Sequence, residues 1–195
     1  MISKELEQLV KENEYNFIHV KSVTSTMDGI KNYLISNNSN YIFLSDMQSC
    51  GRGRRGNSWN SSKGNIFCSI SFRELFEIEN HFLYSILIAS SIKLALEKFN
   101  AKNILFKWPN DLLYKNAKFA GIIGETFNNN IANYMISGFG INVNSSPDIK
   151  NYKSSHIKNF SNVNSINEFL IIFFKIFFNN LSSVKKNNIN HLIEY

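Results

Sequence analysis

The spacing of apolar residues changes along the chain, so helical and strand-like segments can be told apart. In residues 3–13, Leu6, Leu9 and Val10 recur at the three- to four-residue interval of an amphipathic helix, with Ser3 placed as its N-cap. The same interval continues in four later segments. Helices are predicted at residues 3–13, 24–34, 79–99, 166–178 and 189–195.

Seven shorter stretches alternate between apolar and polar residues or are continuously apolar, as strands are. Strands are predicted at residues 17–23, 41–44, 65–72, 104–107, 111–114, 118–127 and 131–141. Turn residues at 115–116 and 128–130 join the last three as hairpins. Because helices are inserted between these strands, the order predicts an α+β fold: a single mixed, mostly antiparallel β-sheet with helices packed on one face.

Size and composition fit one domain over residues 1–195. The chain is long enough to bury a substantial core, and no run of about 18 uncharged apolar residues is present to span a bilayer. The two cysteines, Cys50 and Cys68, lie in unrelated settings and indicate neither a disulfide framework nor a zinc site. The first residues are acidic and lack the apolar core of a signal peptide, so a cytoplasmic location is expected.

The formal net charge is +6, and the one dense cluster of basic residues is the arginine-rich loop (residues 48–56), which ends in the run GRGRRG. Each glycine lets the backbone approach a ligand, and each arginine offers a planar fork of donors matched to phosphate or carboxylate oxygens. This pattern predicts a loop that orders on an anion. A disordered RNA-binding patch is the alternative. So short a cluster, however, suits a nucleotide better than a duplex groove, which takes about six to ten phosphate contacts.

Four other motifs accompany this loop in a fixed order. They are SVTST at residues 22–26, KWPND at 107–111, KFAGIIGE at 118–125 and GFGINVN at 138–144. Together with the loop, they resemble the catalytic domain of biotin–protein ligases, the biotin–[acetyl-CoA-carboxylase] ligase family, over roughly residues 15–195. The resemblance implies the class II synthetase-like catalytic domain of biotin and lipoate ligases. We expect neither an N-terminal helix-turn-helix domain nor a C-terminal β-barrel.

The resemblance also implies a two-step reaction. Biotin and ATP, the latter as its Mg²⁺ complex, give biotinyl-5′-AMP and pyrophosphate. The biotinyl group then passes to one lysine of the biotin carrier domain of a biotin-dependent carboxylase. Such chemistry needs fixed positive charge rather than a protein nucleophile, and the sequence shows no Ser–His or Cys–His constellation. The expected partners exclude DNA and membranes, and a homodimer is allowed.

Matching the motifs to the family assigns a role to each of fourteen residues. Catalysis is assigned to Lys107, Lys118 and Arg54. Biotin binding is assigned to Ser25, Thr26, Gln48, Arg52, Gly53, Arg54, Lys118 and Gly121. Binding of ATP and the adenylate is assigned to Arg52, Arg54, Arg55, Trp59, Lys107, Asn110 and Asn142. Asp111 is the candidate ligand for Mg²⁺.

Two further alternatives stay open within the ligase fold. A lipoate- or octanoate-protein ligase shares the fold and a catalytic lysine, although the GRGRRG loop and KWPND belong to the biotin branch. A decayed, biotin-binding ligase remnant is the other alternative. It is favoured by Met27, which stands where the family usually has asparagine, and by the missing barrel.

Overall fold

The structure, a computed structural model, describes residues 2–73, 81–150 and 152–185. Within these ranges it contains the helices α1 (Lys4–Glu12), α2 (Thr26–Leu34), α3 (Phe82–Glu97) and α4 (Ile166–Lys185). The strands are β1 (Tyr15–Val20), β2 (Asn40–Ser45), β3 (Ile66–Arg73), β4 (Ile104–Lys107), β5 (Asp111–Tyr114), β6 (Ala117–Asn128) and β7 (Asn133–Ile141). Two short 3₁₀ turns lie at Arg54–Gly56 and Ile157–Asn159.

All seven strands form one sheet in the order β1-β2-β3-β7-β6-β5-β4. The β1–β2 pair is parallel because α2 crosses between them, and every other neighbouring pair is antiparallel. The predicted α+β fold with a mixed, mostly antiparallel sheet is therefore confirmed. The longest strands, β6 and β7, pair side by side near the middle of the sheet.

Both faces of the sheet are covered. Helices α1, α3 and α4 pack on one face, where Ile42 and Leu44 of β2 point. Tyr41 and Phe43 point to the opposite face, and α2 packs there. The second core cluster consists of Met27, Ile30, Leu34, Tyr41, Phe43, Ala132, Tyr134 and Ile136. The prediction that the helices share one face is correct for three helices and wrong for α2, because β2 is apolar on both faces and so can also bury the apolar stripe of α2.

Several predicted boundaries shift for local reasons. The predicted strand at 17–23 ends at Val20, and Val23 instead makes an isolated bridge to Gln48. Helix α4 runs on to Lys185 because Leu181 and Val184 continue its buried stripe. The predicted helix at 189–195 and the first residues of that at 79–99 lie outside the described residues. In the described part of the chain, no helix combines the length and apolar character needed to cross a membrane.

Two predicted local signals are confirmed. The Ser3 hydroxyl accepts a hydrogen bond from the Leu6 amide and so caps α1. The β5–β6 hairpin turns through Lys115 and Asn116, whose φ angles of 47° and 63° are the left-handed values that a tight hairpin turn requires. This hairpin places β6 next to β7, near the centre of the sheet, where the candidate site lies.

Candidate active site

A cleft opens on the face of the sheet that α2 covers. It encloses about 430 Å³, counting the space at its open mouth. Its lining is Ser25, Thr26, Met27, Gln48, Arg52, Gly53, Arg54, Trp59, Asn110, Lys118, Gly121, Ile122, Ile123, Gly138, Phe139 and Gly140. Most of the residues that the sequence assigned to biotin and nucleotide are therefore brought together, although they come from five separate segments of the chain.

Glycines on β6 and β7 form the floor of the cleft. Gly121 lies directly opposite Gly140 in the sheet. A Cβ on Gly140 would lie 2.4 Å from the Trp59 indole, and one on Gly138 would lie 2.6 Å from the Met27 Sδ. Side chains at these positions would exclude the groups that now pack on the sheet, so the strand backbone itself is the floor.

One end of the cleft carries neutral polar groups above β3 and β7. The Thr26 amide donates to Gln48 Oε1 at 2.8 Å, and Ser69 Oγ donates to Thr26 Oγ1 at 2.8 Å. Ser25, 1% exposed, occupies the N-cap position of α2, yet its hydroxyl makes no capping bond and finds no partner among the described residues. A buried hydroxyl without a partner is rare in a protein interior, so Ser25 is available to a ligand.

The other end of the cleft carries Lys118 on β6. Its Nζ lies 2.7 Å from the Asp111 carboxylate, and both side chains are about four-fifths buried. The same ammonium group lies 5.3 Å from the Trp59 ring centroid and 5.5 Å from that of Tyr152. Burial, and secondarily the Asp111 carboxylate, raise the pKa of Tyr152, so its phenol stays neutral around pH 7.

A bulge in β6 directs Lys118 into the cleft. The β5–β6 register shifts here, and Phe119 and Ala120 both join the core on the helical side. Ala120 therefore does not face the cleft, whereas Gly121 does. The backbone of Lys118 is fixed on its other side, because its amide donates to Lys153 O at 2.8 Å and its carbonyl accepts from the Ser155 amide at 2.9 Å.

The three arginines of the arginine-rich loop have different surroundings. Arg54 donates from Nη1 to Asn110 Oδ1 at 3.0 Å and lines the cleft. Arg52 also lines it, but its Nη2 lies 2.9 Å from a Glu125 oxygen. Arg55 has a left-handed φ of 55° and lines an adjacent groove instead. Within the described residues, neither Arg54 nor Arg55 forms an ion pair, and of these two cations Arg54 is the one that lines the cleft.

Four of the predicted residues lie outside the cleft lining: Arg55, in the adjacent groove, and Lys107, Asp111 and Asn142. Lys107 is exposed at the end of β4, and Asp111 faces the cleft through its contact with Lys118. Asn142 is buried behind β7; its Nδ2 donates to Ser155 O at 3.1 Å, and its Oδ1 accepts from no described residue. The roles assigned to these residues stay predictions.

Sequence reasoning missed Asn65, which orders the chain after β7. Its Oδ1 accepts from the amides of Val143, Asn144 and Ser145, at 2.8, 3.1 and 3.4 Å, and its Nδ2 donates to Ser145 O at 3.1 Å. These bonds fix the segment that follows Asn142. No spacing pattern marks such a residue, because its partners are backbone groups about 80 positions away.

Gly138 and Gly140 were also missed as site residues, although a signal was present. Their alternation within GFG places both on the same face of a strand, opposite Phe139. Two glycines on one face leave that face without side chains, which indicates close approach of another group.

The motif residues, the glycine floor and the fold agree with one known family. The Biotin/lipoate A/B protein ligase family matches residues 19–142, which is more than half of the chain. The chain belongs to this family. The match includes every segment that lines the cleft, from Ser25 to Gly140.

The relatives with similar sequences include proteins named as ligases. The bifunctional ligase/repressor BirA of Escherichia coli is 31% identical over 128 residues, which are 63% of this chain and 40% of that protein. The biotin–[acetyl-CoA-carboxylase] ligase of Paracoccus denitrificans is 30% identical over 110 residues, 54% of this chain and 45% of that protein. The chain thus spans less than half of the length of these relatives.

Solved structures share the architecture. The biotin protein ligase from Aquifex aeolicus in complex with biotin and ATP superposes with a TM-score of 0.76 at 26% identity, covering 90% of this chain and 74% of that one. The biotin protein ligase from Leishmania major in complex with biotinyl-5-AMP gives 0.73 at 19% identity, covering 90% and 78%. The second likeness concerns the fold alone.

The glycine floor generates a prediction that needs no ligand. Gly140→Ala, made in a Trp108→Phe background so that Trp59 is the one remaining tryptophan, should push the indole off β7. We expect a red-shifted emission and roughly twofold stronger acrylamide quenching, because a displaced indole meets more water. Fluorescence in the absence of ligand measures both.

Gly124→Ala is the matched control. It lies on the neighbouring strand, and its added Cβ would meet its nearest atom at an ordinary 3.5 Å. If the Gly140→Ala and Gly124→Ala proteins show the same emission maximum and the same quenching, the glycine floor does not hold Trp59 in place.

Proposed function

We propose that the chain is an ATP-dependent biotin–protein ligase that makes biotinyl-5′-AMP and transfers biotin to a lysine of a carboxylase biotin carrier domain. The observation that carries this proposal is the polarity of the cleft. Ser25, Thr26 and Gln48 offer neutral donors and acceptors at one end, and Lys118 and Arg54 offer positive charge at the other. Biotin has the same polarity, with a neutral ureido ring and a carboxylate tail, so it fits along the cleft.

The first step joins two anions, which is where fixed charge matters. A biotin carboxylate oxygen attacks the α-phosphorus of ATP, a new O–P bond forms, and the bond to the β-phosphate bridging oxygen breaks to release pyrophosphate. Lys118 and Arg54 oppose the repulsion between the two reactants and stabilise the charge that develops on the α-phosphate oxygens. Because the carboxylate is itself the nucleophile, no protein nucleophile is needed.

The second step forms an amide. The ε-amine of the carrier lysine attacks the carbonyl carbon of the adenylate, AMP leaves with the bonding electron pair, and the amine loses a proton. Until then the mixed anhydride must be kept from water. Arg54 and Asn110 both line the cleft and bond to each other, and Trp59 packs on its floor, which supports the proposal that Arg54 and Trp59 shield the adenylate.

The described residues fit Mg²⁺ as a partner of the phosphates rather than of the protein alone. They contain no group of three or more acidic, histidine or cysteine side chains that could enclose a metal ion. Asp111 supplies one partly accessible carboxylate beside the cationic end of the cleft, and one carboxylate plus substrate phosphates is a common magnesium environment. Mg²⁺ bound there would neutralise phosphate charge.

The proposed reaction needs a compartment that contains both ATP and a carrier domain. We therefore propose that the protein acts in the cytoplasm. The expected lack of a DNA or membrane partner stays a prediction, and a homodimer is allowed.

Adenylate formation tests the proposal directly. Purified protein with Mg²⁺ and α-labelled ATP is incubated with biotin, lipoate or octanoate in parallel, and labelled acyl-AMP is separated by chromatography. Of the three acids, we expect only biotin to give an adenylate, and we expect transfer of biotin when a carrier domain is added. Adenylate with lipoate or octanoate would assign the chain to the other branch of the family, and biotin binding without adenylate would indicate a remnant.

Replacing the cation on β6 separates chemistry from folding. Lys118→Ala should lower the rate of biotinyl-AMP formation by at least about a hundredfold, because a charge that stabilises the transition state contributes on that scale. The fold should be retained, although the unfolding midpoint should fall somewhat because the largely buried Asp111 carboxylate loses its partner. Lys115→Ala, in the exposed turn of the same hairpin, is the control. Parent-like adenylate formation by the Lys118→Ala protein would remove Lys118 from the mechanism.

A further inference from the structure

Four charged side chains, the charge cluster Asp28, Lys31, Arg52 and Glu125, join the arginine-rich loop to the rest of the domain. Arg52 Nη2 lies 2.9 Å from Glu125 Oε1 and 3.1 Å from Asp28 Oδ1. Lys31 Nζ lies 2.7 Å from the same Glu125 oxygen. Asp28 also contacts Lys31, at 4.0 Å, so Glu125 is the carboxylate that makes the shorter contact with each of the two cations.

The cluster connects three elements that are far apart in sequence. Asp28 and Lys31 belong to α2, Glu125 to β6, and Arg52 to the arginine-rich loop. Ile123, two residues before Glu125 and on the same face of β6, lines both the cleft and the adjacent groove beneath the loop. The cluster thus lies at the edge of the cleft where the loop could lift away from the sheet.

We propose that Glu125 is a positioning residue that holds the arginine-rich loop closed over the cleft. Without its charge, Arg52 and Lys31 would face each other with Asp28 as the remaining described carboxylate in contact with them. The loop carries three arginines within four positions, and their positive charges repel one another unless a negative charge lies nearby. Glu125 supplies it before any anionic ligand arrives.

This arrangement divides the work of the loop between two arginines. Arg52 is committed to carboxylates of the protein, whereas Arg54 bonds to a neutral amide oxygen and keeps its charge for a ligand. Closure therefore depends on one cation and ligand contact on another. A change at Glu125 should weaken closure without removing a group that touches the reacting atoms.

The size of the effect is set by exposure. The side chains of Lys31, Glu125 and Arg52 are 27%, 29% and 38% exposed, so salt screens their attraction in part. Single pairs of this kind contribute modestly, but two cations act on Glu125 together. The loop is expected to open more often rather than to lose its fold.

Limited trypsin digestion of the ligand-free protein tests the proposal without any activity. Glu125→Gln keeps the shape of the side chain and removes its charge. We expect cutting after Arg52, Arg54 or Arg55 to become roughly three- to tenfold faster, because cleavage tracks the open population of the loop. Mass spectrometry of the fragments over time measures the rate at each site. Cutting elsewhere should keep the parent rate.

Glu97→Gln is the matched control, since it removes the same charge from an ion pair with Lys93 on α3, away from the cleft. It should leave loop cutting at the parent rate. Equal loop cutting in the Glu125→Gln and parent proteins would overturn the proposal. Faster cutting at all sites would also overturn it, because that would be a general loss of stability.

Adenylate retention gives a second readout, and this arm rests on the proposed function. With biotin and ATP, Glu125→Gln should form the first adenylate within about twofold of the parent rate but release it several times faster, with more labelling of bystander lysines. Release at the parent rate would overturn the proposal. If the parent makes no adenylate, the proposed function fails while the digestion arm still decides the role of Glu125.

Discussion

The pairing of Gly121 with Gly140 across β6 and β7 is the constraint on which the site depends. It clears side chains from the middle of the sheet on the α2 face, so that a cleft can form directly on the strand backbone. The Trp59 indole then lies against this surface and Lys118 over its edge. A larger residue at either glycine would fill the space that every other site residue is arranged around.

Charge is distributed around this floor in two separate pairings. Lys118 is held by Asp111 on the neighbouring strand, and Arg52 by the carboxylates of α2 and β6. Arg54 is left with a neutral partner among the described residues. A ligand with one anionic group therefore meets cations whose positions are already fixed, which lowers the reorganisation that binding requires. Under the proposed function, the neutral end of the cleft, where the Ser25 hydroxyl has no partner among the described residues, would favour an uncharged polar group.

Short stretches of sequence predicted those features that depend on neighbouring residues alone. The β5–β6 hairpin follows from two turn residues with left-handed backbone. The composition of the arginine-rich loop predicts a site for an anion, and that stays a prediction. The face on which α2 packs was not predictable in this way, because β2 is apolar on both sides. The Arg52–Glu125 pair joins residues 73 positions apart, and the β6 bulge depends on register, so neither leaves a periodic trace. Asn65 escaped notice because its partners are backbone amides.

The proposed function requires that the cationic end of the cleft bind a carboxylate. This requirement can be tested by titration calorimetry of the unmodified protein with biotin and with biotin primary amide, which differ at that group alone. Biotin should bind at least roughly tenfold more tightly than the amide, as expected for a charge-assisted contact. Equal affinity for the two compounds would contradict the claim, since the cations would then contribute nothing to recognising the ligand.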